Sequence, residues 1–183
     1  MVKEVRFGLS VVIPTYARPE QTRRAVESVR AAAGAPVEIL VVDDASPVEL
    51  ADHLPEANCS GVPVRLLRRK LNGGPQAARN LGIRRASFQF IAFLDSDDVF
   101  VDGKVDRILG ILRADDVDLL FHNVVGMERY SRLSALWVRT LGSMSLRWVL
   151  CAYNPVATPA LVIRRRRALG VPHFRYSEDY AFL

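Results

Sequence analysis

Acidic residues directly follow two of the apolar runs in this sequence. The pair Asp43-Asp44 ends one run, and the segment Asp95-Ser96-Asp97-Asp98 ends another. Carboxylates that lie close together repel one another, and this repulsion is costly unless a cation neutralises them. Carboxylate oxygens are hard ligands that select Mg²⁺ or Mn²⁺, and such a cation usually bridges to a substrate phosphate. The two segments therefore predict a divalent cation site beside a phosphate-bearing ligand, if the fold brings them together.

Asp43 and Asp44 also have a structural interpretation. Asp43 could stabilise the fold locally, and Asp44 could hold the turn after the strand. Ser46 is the better candidate for a helix cap, because Ser46-Pro47-Val48-Glu49 has the pattern of a capping box with proline at the first helical position. This pattern predicts a short helix directly after Ser46.

The second acidic segment is harder to explain structurally. Asp97 and Asp98 could cap the next helix, but Asp102 lies directly before Gly103, where that helix is predicted to begin, and fits the position better. The four residues that directly follow the fully apolar strand include three carboxylates, and this density favours a functional role. The Asn72-Gly73-Gly74 turn is a weaker signal, because such turns are common.

Short apolar runs alternate with helix-like stretches along the chain, which is typical of βαβ units around a parallel sheet. Helices are predicted to begin at Pro19 and Pro75, because proline suits the first helical position. The predicted strands are Leu9–Ile13, Val37–Val42, Val64–Leu67, Phe90–Leu94, Val117–Phe121 and Pro159–Ile163, with a further helix over Gly103–Ala114. In open α/β sheets, ligands bind beyond the carboxyl ends of the strands. Both acidic segments, the glycine turn and the residues after the first strand are therefore predicted to share one edge of the sheet.

The composition predicts a single globular domain that is soluble or peripheral to a membrane. The chain has 183 residues, of which 50% are hydrophobic and 25% are charged. No run approaches the ~18 apolar residues that a membrane span needs, and the isolated Cys59 and Cys151 fit a reducing cytosol.

The net charge of +5 permits an anionic partner. Nucleic acid is not expected, because the acidic edge would repel a phosphate backbone. Glycine-rich dinucleotide and P-loop motifs are absent from the sequence.

Five sequence motifs occur in an informative order. They are SVVIPTY at Ser10–Tyr16, VVDDAS at Val41–Ser46, NGGP with AARN at Asn72–Asn80, FLDSDD at Phe93–Asp98, and EDY at Glu178–Tyr180. Together they resemble the family 2 glycosyltransferases, and the resemblance covers about residues 8–183. It implies an α/β fold of the GT-A type, a Rossmann-like three-layer αβα sandwich with a mostly parallel central sheet. It also implies transfer of a sugar from a nucleotide-sugar, commonly a UDP-sugar, with inversion at the anomeric carbon.

The resemblance implies roles for individual residues of the donor site. The residues that would line the nucleoside pocket are Pro14, Thr15, Tyr16 and Arg18. Asp44 would read the base, and the residues that would approach the nucleotide are Arg79, Asn72, Gly73 and Gly74, with Asp43 and Ser96 also in the nucleotide-binding set.

The resemblance identifies Asp95 and Asp97 as the carboxylates of a DXD motif. Asp97 is the first choice to bind Mn²⁺ or Mg²⁺, Asp95 would contact the ribose or the metal, and Asp98 is a further candidate ligand. A cation there would offset the charge that develops on the diphosphate leaving group.

Inversion by direct displacement needs a base that takes the proton of the acceptor hydroxyl. By similarity to the ED motif of the family, Asp179 would be this base, with Glu178 as its neighbour. The residues alone also permit Glu178-Asp179 to begin a helix, because acids suit the N-terminal dipole.

The resemblance predicts one domain over residues 1–183, with a donor half over about 1–115 and a partial acceptor half over about 116–183 that is truncated after the ED motif. The implied partners are a nucleotide-sugar donor and a glycan or lipid-linked acceptor in bacterial surface polysaccharide biosynthesis. A cytoplasmic location is expected. Peripheral contact with the inner face of the plasma membrane, which the Arg164–Arg167 run permits, and a homodimer are left open. The alternative is a truncated, non-catalytic nucleotide-binding fragment or partner subunit.

Overall fold

The structure is a computed structural model that describes residues 6–29, 34–55, 58–59, 61–116, 118–121 and 161–168. Its strands are β1 (Arg6–Thr15), β2 (Val37–Asp43), β3 (Asn58–Cys59), β4 (Val62–Arg68), β5 (Phe88–Phe93), β6 (Leu119–Phe121) and β7 (Leu161–Arg164). Its helices are α1 (Pro19–Ser28), α2 (Pro75–Arg85), α3 (Lys104–Ala114) and α4 (Arg165–Ala168). The predicted alternation of strands and helices is confirmed, with boundaries shifted by a few residues.

The described strands form one sheet in the order β3-β4-β2-β1-β5-β7-β6. The central strands β4, β2, β1 and β5 are parallel. The outer strands β3, β6 and β7 pair in antiparallel fashion with their neighbours. The chain passes from β1 to β2 on one side and later returns to β5 on the other, so the sheet has a topological switch point beside β1. Ligands of open α/β sheets bind at such a point.

Helices cover both faces of the sheet. Side chains of α1 and α3, such as Val26 and Leu109, pack with one set of buried strand residues. Side chains of α2 and α4, such as Ile83 and Ala168, pack with the set that points to the opposite face. The predicted three-layer αβα sandwich is therefore confirmed, and it explains why the central strands are apolar on both faces.

Two predicted helix caps are wrong. No α-helix begins directly after Ser46 in the described segment 34–55, where the next helical element is a 3-10 turn at Ala51–His53. Helix α3 begins after Gly103, which has a left-handed φ of 73° and provides no side-chain cap, so Asp102 does not have the predicted role. The prolines were better guides, because α1 and α2 begin at Pro19 and Pro75.

Helix α2 lies unusually close to β1 at Gly82. A methyl group placed on this glycine would come within 2.4 Å of a Val12 side-chain carbon. We therefore expect Gly82→Ala to lower the free energy of unfolding by about 1–3 kcal/mol, because overpacking forces the helix away from the sheet. Gly110→Ala in α3 is the matched control: its methyl group would meet no atom within 4 Å, and it should stabilise the protein by about 0.5–1 kcal/mol. Chemical denaturation would measure both, and a stabilised Gly82→Ala would contradict this packing.

A carboxylate is buried at the amino edge of the sheet, opposite the carboxyl ends of the parallel strands. Glu38 in β2 is 4% exposed. It accepts hydrogen bonds from the Ser10 hydroxyl at 2.7 Å, the Ser87 backbone N–H at 2.6 Å and the Arg65 guanidinium at 3.2 Å. The Ser10 hydroxyl in turn accepts the backbone N–H of Phe88 at 3.2 Å. These partners offset the cost of burying the charge.

The Arg164–Arg167 run is largely occupied by contacts within the fold. Asp118 forms ion pairs with Arg164, Arg166 and Arg167 at 2.8, 3.1 and 2.7 Å. Burial favours a higher pKa for Asp118, but hydrogen bonds from Arg167 and Arg166 outweigh it and hold this pKa below its ordinary value. Arg165 donates to the carbonyls of the last turn of α2. Within the described residues, no helix has the length and apolar character that crossing a bilayer requires.

Candidate functional site

A cavity of about 330 Å³ opens beyond the carboxyl ends of β1, β2 and β5, at the N-terminus of α2. The residues that line it are Pro14, Thr15, Tyr16, Arg18, Asp44, Pro75, Ala78, Arg79, Asp95, Ser96 and Asp97. All except Pro75 and Ala78 belong to the predicted site. Of the described residues in that prediction, Asp43, Asn72, Gly73, Gly74 and Asp98 do not line the cavity. Glu178 and Asp179 lie outside the described residues.

The end of β1 and the loop after it form one wall of the cavity. Thr15 is buried and its hydroxyl lies 2.7 Å from that of Thr22 in α1. Tyr16 is 49% exposed, so its ring is open to solvent at the cavity. Ala17 has a φ of 53°, a left-handed conformation that is uncommon outside glycine.

Asp43, the last residue of β2, and Asp44, which follows it, have different partners. Asp44 accepts hydrogen bonds from the backbone N–H groups of Gly73 and Gly74 at 3.1 and 2.7 Å, and it forms an ion pair with Arg69. Asp43 is fully buried and accepts the backbone N–H of Ser46 at 2.9 Å. Asp44 thus connects the glycine turn to the cavity wall, whereas Asp43 is part of the fold beneath it.

The first turns of α2 form the opposite wall. Arg79 is 4% exposed, and its guanidinium donates to Asp95 at 2.6 Å. Pro75 and Ala78, which the sequence interpretation missed, lie three residues apart and so share the helix face that meets the cavity. That spacing behind the glycine turn is the signal that could have identified them. The N-terminus of a helix also favours anions, because its first N–H groups lack partners within the helix.

The acidic segment after β5 also lines the cavity, and it contacts this wall through the pair of Asp95 with Arg79. Asp97 pairs with Arg18 at 2.6 Å, and both side chains are about half exposed. Asp98 lies beside them: burial raises its pKa, and repulsion by Asp95 and Asp97 raises it further. The carboxylates are therefore close enough to repel one another, as the sequence indicated. Among the described residues, no three potential protein ligands come together as a ready-made cation cage.

Lys104 at the start of α3 should give the stability of the protein a distinct pH dependence. Its ammonium lies 4.0 Å from the centre of the Phe100 ring. Burial lowers its pKa from 10.5 to about 8, against an opposing effect of Asp98. Between about pH 8 and 10.5, Lys104 binds more protons in the unfolded chain than in the folded one. Its contribution to the free energy of unfolding therefore rises with pH over this range.

We therefore expect Lys104→Met to flatten the rise in unfolding free energy between about pH 8 and 10.5, as measured by denaturant titrations at several pH values. Lys70→Met, at an exposed lysine, is the control and should keep the slope of the wild type. Equal slopes for Lys104→Met and the wild type would contradict the lowered pKa.

Comparisons with known proteins show the family to which the chain is similar. The sequence profile of Glycosyl transferase family 2 matches residues 10–169. An uncharacterized glycosyltransferase of Rickettsia felis is 41% identical over 108 residues, which are 58% of this chain and 18% of that protein. The succinoglycan biosynthesis protein ExoW of Rhizobium meliloti is 35% identical over 125 residues, 67% of this chain and 39% of that protein. This chain thus spans less than half the length of these curated relatives.

A solved structure supports the fold. S. aureus TarS 1–349, crystallised in complex with UDP, superposes with a TM-score of 0.68 at 20% identity, covering 96% of this chain and 54% of that chain. At this identity the likeness concerns the fold alone, and it confirms the predicted GT-A architecture. The family match extends over most of the sequence, and this chain therefore belongs to glycosyl transferase family 2.

Proposed function

We propose that this chain binds a nucleotide-sugar, with a UDP-sugar favoured, and takes part in metal-dependent, inverting transfer of the sugar to a glycan or lipid-linked acceptor. The observation that carries the proposal is the cavity beyond the carboxyl ends of the strands, which is lined by two arginines and three aspartates. Its volume of about 330 Å³ lies within the usual range for small-molecule sites.

The cationic side suits the diphosphate of the donor. Arg79 comes from α2, Arg18 from the loop after β1, and both line the cavity together with the start of α2. Guanidinium groups bind phosphate oxygens through charge-assisted hydrogen bonds. The arginines would bind and orient the diphosphate from two sides.

The wall formed by β1 and β2 suits the nucleoside. Pro14, Thr15 and the exposed Tyr16 ring offer apolar and aromatic surface, and Asp44 offers carboxylate oxygens at the same wall. Because Asp44 also holds the amides of the glycine turn, this turn would be fixed beside the nucleoside. The roles of Gly73 and Gly74 are then indirect, through Asp44, and Asn72 precedes them in the same turn.

The acidic side fits a divalent cation that is held jointly with the donor. Mg²⁺ is usually bound by one or two carboxylates together with substrate phosphates, so a cage of protein ligands is not required. Asp97 is our first choice as a ligand because it is half exposed at the cavity, with Asp95 beside it. When bound, the cation supplies positive charge that stabilises the leaving diphosphate.

The acceptor side of the reaction is proposed from sequence. Asp179, with Glu178 next to it, remains the predicted base that takes the proton of the acceptor hydroxyl. The name of ExoW places that relative in the biosynthesis of a polysaccharide, succinoglycan. A glycan or lipid-linked sugar is therefore the acceptor class that we propose for the whole protein.

Calorimetric titration of the 183-residue chain with UDP, with Mn²⁺ and with EDTA, tests the proposal. We expect UDP to bind at least about tenfold more tightly with Mn²⁺, since the cation offsets the repulsion between the diphosphate and the carboxylates. ADP and GDP serve as controls for base preference and should bind more weakly. Absence of UDP binding, or binding that is the same with and without Mn²⁺, would overturn the proposal. Binding of UDP without release of UDP from a UDP-sugar and acceptor would favour a non-catalytic, nucleotide-binding chain.

A further inference from the structure

Two loops lie side by side at the carboxyl edge of the sheet. One follows β1 and contains Ala17, and the other follows β2 and contains Ser46. The backbone N–H of Asp44 donates to the carbonyl of Thr15 at 2.9 Å. The backbone N–H of Ala17 donates to the hydroxyl of Ser46, also at 2.9 Å. A side chain of the second loop therefore holds the backbone of the first.

Ser46 is itself firmly placed. It is 2% exposed, its backbone N–H donates to the Asp43 carboxylate at 2.9 Å, and its carbonyl accepts the Arg68 guanidinium at 2.8 Å. Asp43 is fully buried and also lies 3.5 Å from Arg68. The buried aspartate and the arginine thus fix the serine that holds the neighbouring loop.

The loops are held in conformations that they would not adopt freely. Ala17 and Ala45 have φ angles of 53° and 64°. Left-handed backbone costs free energy in any residue with a Cβ, so it persists only where the surroundings enforce it. The hydrogen bond from Ala17 to Ser46 is such a constraint, and the two residues that flank Ala17, Tyr16 and Arg18, both line the cavity.

We propose that Ser46 is a positioning residue for the nucleotide-sugar: its hydroxyl holds the loop after β1 in the left-handed conformation that places Tyr16 and Arg18 at the cavity. This inference rests on the proposed function. Ser46 is not among the residues that line the cavity, so it acts through Ala17 and not by contact with the donor. The sequence pattern predicts that the Ser46 hydroxyl caps a helix, but in the structure this hydroxyl accepts the backbone N–H of Ala17.

The test compares two buried serines whose hydroxyls each accept a backbone N–H. Ser46→Ala removes the acceptor for Ala17 at the cavity, and Ser10→Ala removes the acceptor for Phe88 at the opposite edge of the sheet. We expect Ser46→Ala to weaken UDP binding in the presence of Mn²⁺ about tenfold, the scale of one lost hydrogen bond. Ser10→Ala should lower the Tm and leave the Kd for UDP unchanged. Ser46→Thr keeps the hydroxyl and should restore most of the affinity.

Hydrogen exchange at the Ala17 amide provides a readout that does not depend on the ligand. Protection of this amide should fall in Ser46→Ala, because this variant removes the hydroxyl that accepts the Ala17 N–H. Protection should persist in Ser10→Ala, which leaves that hydroxyl in place. Wild-type affinity for UDP in Ser46→Ala, or equal weakening in both variants, would overturn the positioning role. If the wild type itself does not bind UDP, the proposed function fails. Exchange at Ala17 would then still decide whether Ser46 holds the loop.

Discussion

Replacement of Asp97 by asparagine is expected to abolish the Mn²⁺ dependence of UDP binding. Asparagine keeps the size of the side chain and removes the charge that a divalent cation needs. The cation offsets the repulsion between the diphosphate and the carboxylates, so we expect UDP affinity with Mn²⁺ to fall by at least about tenfold, to the level measured in EDTA. Calorimetric titration of both proteins under the two conditions measures this difference.

The ion pair between Asp97 and Arg18 provides the control. Both side chains are about half exposed, and an exposed pair of this kind contributes only about 0–1 kcal/mol. A cation and a diphosphate can therefore displace Arg18 from Asp97 at little cost. Arg18→Met breaks the same pair but leaves the carboxylate free for the cation.

Asp97→Asn and Arg18→Met should consequently differ in their affinity for Mn²⁺ in the absence of nucleotide. In titrations of the nucleotide-free protein followed by electron paramagnetic resonance, Arg18→Met should bind Mn²⁺ at least as tightly as the wild type. Asp97→Asn should bind it more weakly. Equal behaviour of the two variants would show that only the ion pair matters and that Asp97 does not hold the cation.

The second large effect is expected at Arg79. Its side chain is 5% exposed and pairs with Asp95, which is 30% exposed. Removal of one partner from a buried ion pair costs about 3–5 kcal/mol, and the partial exposure of Asp95 places Arg79→Met at the lower end of that range. We expect a lower Tm together with loss of measurable UDP binding, because the guanidinium that we propose binds the diphosphate is removed.

A double variant tests whether the loss of UDP binding follows only from the lower stability. Combining Arg79→Met with Asp95→Asn removes both charges, so no unpaired charge is left at this buried position. The double variant should therefore recover much of the Tm of the wild type without recovering UDP affinity. Recovery of both would show that Arg79 acts only in folding.

Much of the described sheet, with the helices that pack on it, could be predicted from sequence because its signals are local. Proline at the first helical position placed the starts of α1 and α2, and apolar runs placed the central strands. The carboxyl ends of parallel strands meet at one edge, so the positions of Tyr16, Asp44 and Asp97 around one cavity followed from the order of the strands.

The environment of each polar side chain could not be predicted in this way. Asp43 and Asp44 are neighbours in sequence and both are buried, yet only Asp44 lines the cavity. Ser46 had the pattern of a helix cap, but its hydroxyl accepts an N–H from a residue 29 positions earlier. Such choices depend on contacts between distant segments, which a local pattern does not contain.

The partners of the arginines at Arg164–Arg167 could not be predicted from the local sequence either. Arg164–Arg167 permitted a membrane contact when considered alone, because four adjacent cations suggest an exposed basic surface. In the structure, Asp116 and Asp118 pair with three of these arginines. The carboxylates lie more than forty positions earlier in the sequence, so only the antiparallel pairing of β6 with β7 reveals them.

The buried Glu38 has a consequence for how the strands align during folding. In the native sheet it lies opposite Ser10, whose hydroxyl binds it. A two-residue slip of β2 along β1 would place this carboxylate beside Val12 or Gly8, neither of which has a polar side chain. The neighbouring apolar residues would keep their faces in such a slip, because the side chains of a strand alternate with a period of two residues. Glu38 therefore favours a single register of β2 against β1. This register also sets the relative positions of the loops that follow β1 and β2 at the cavity.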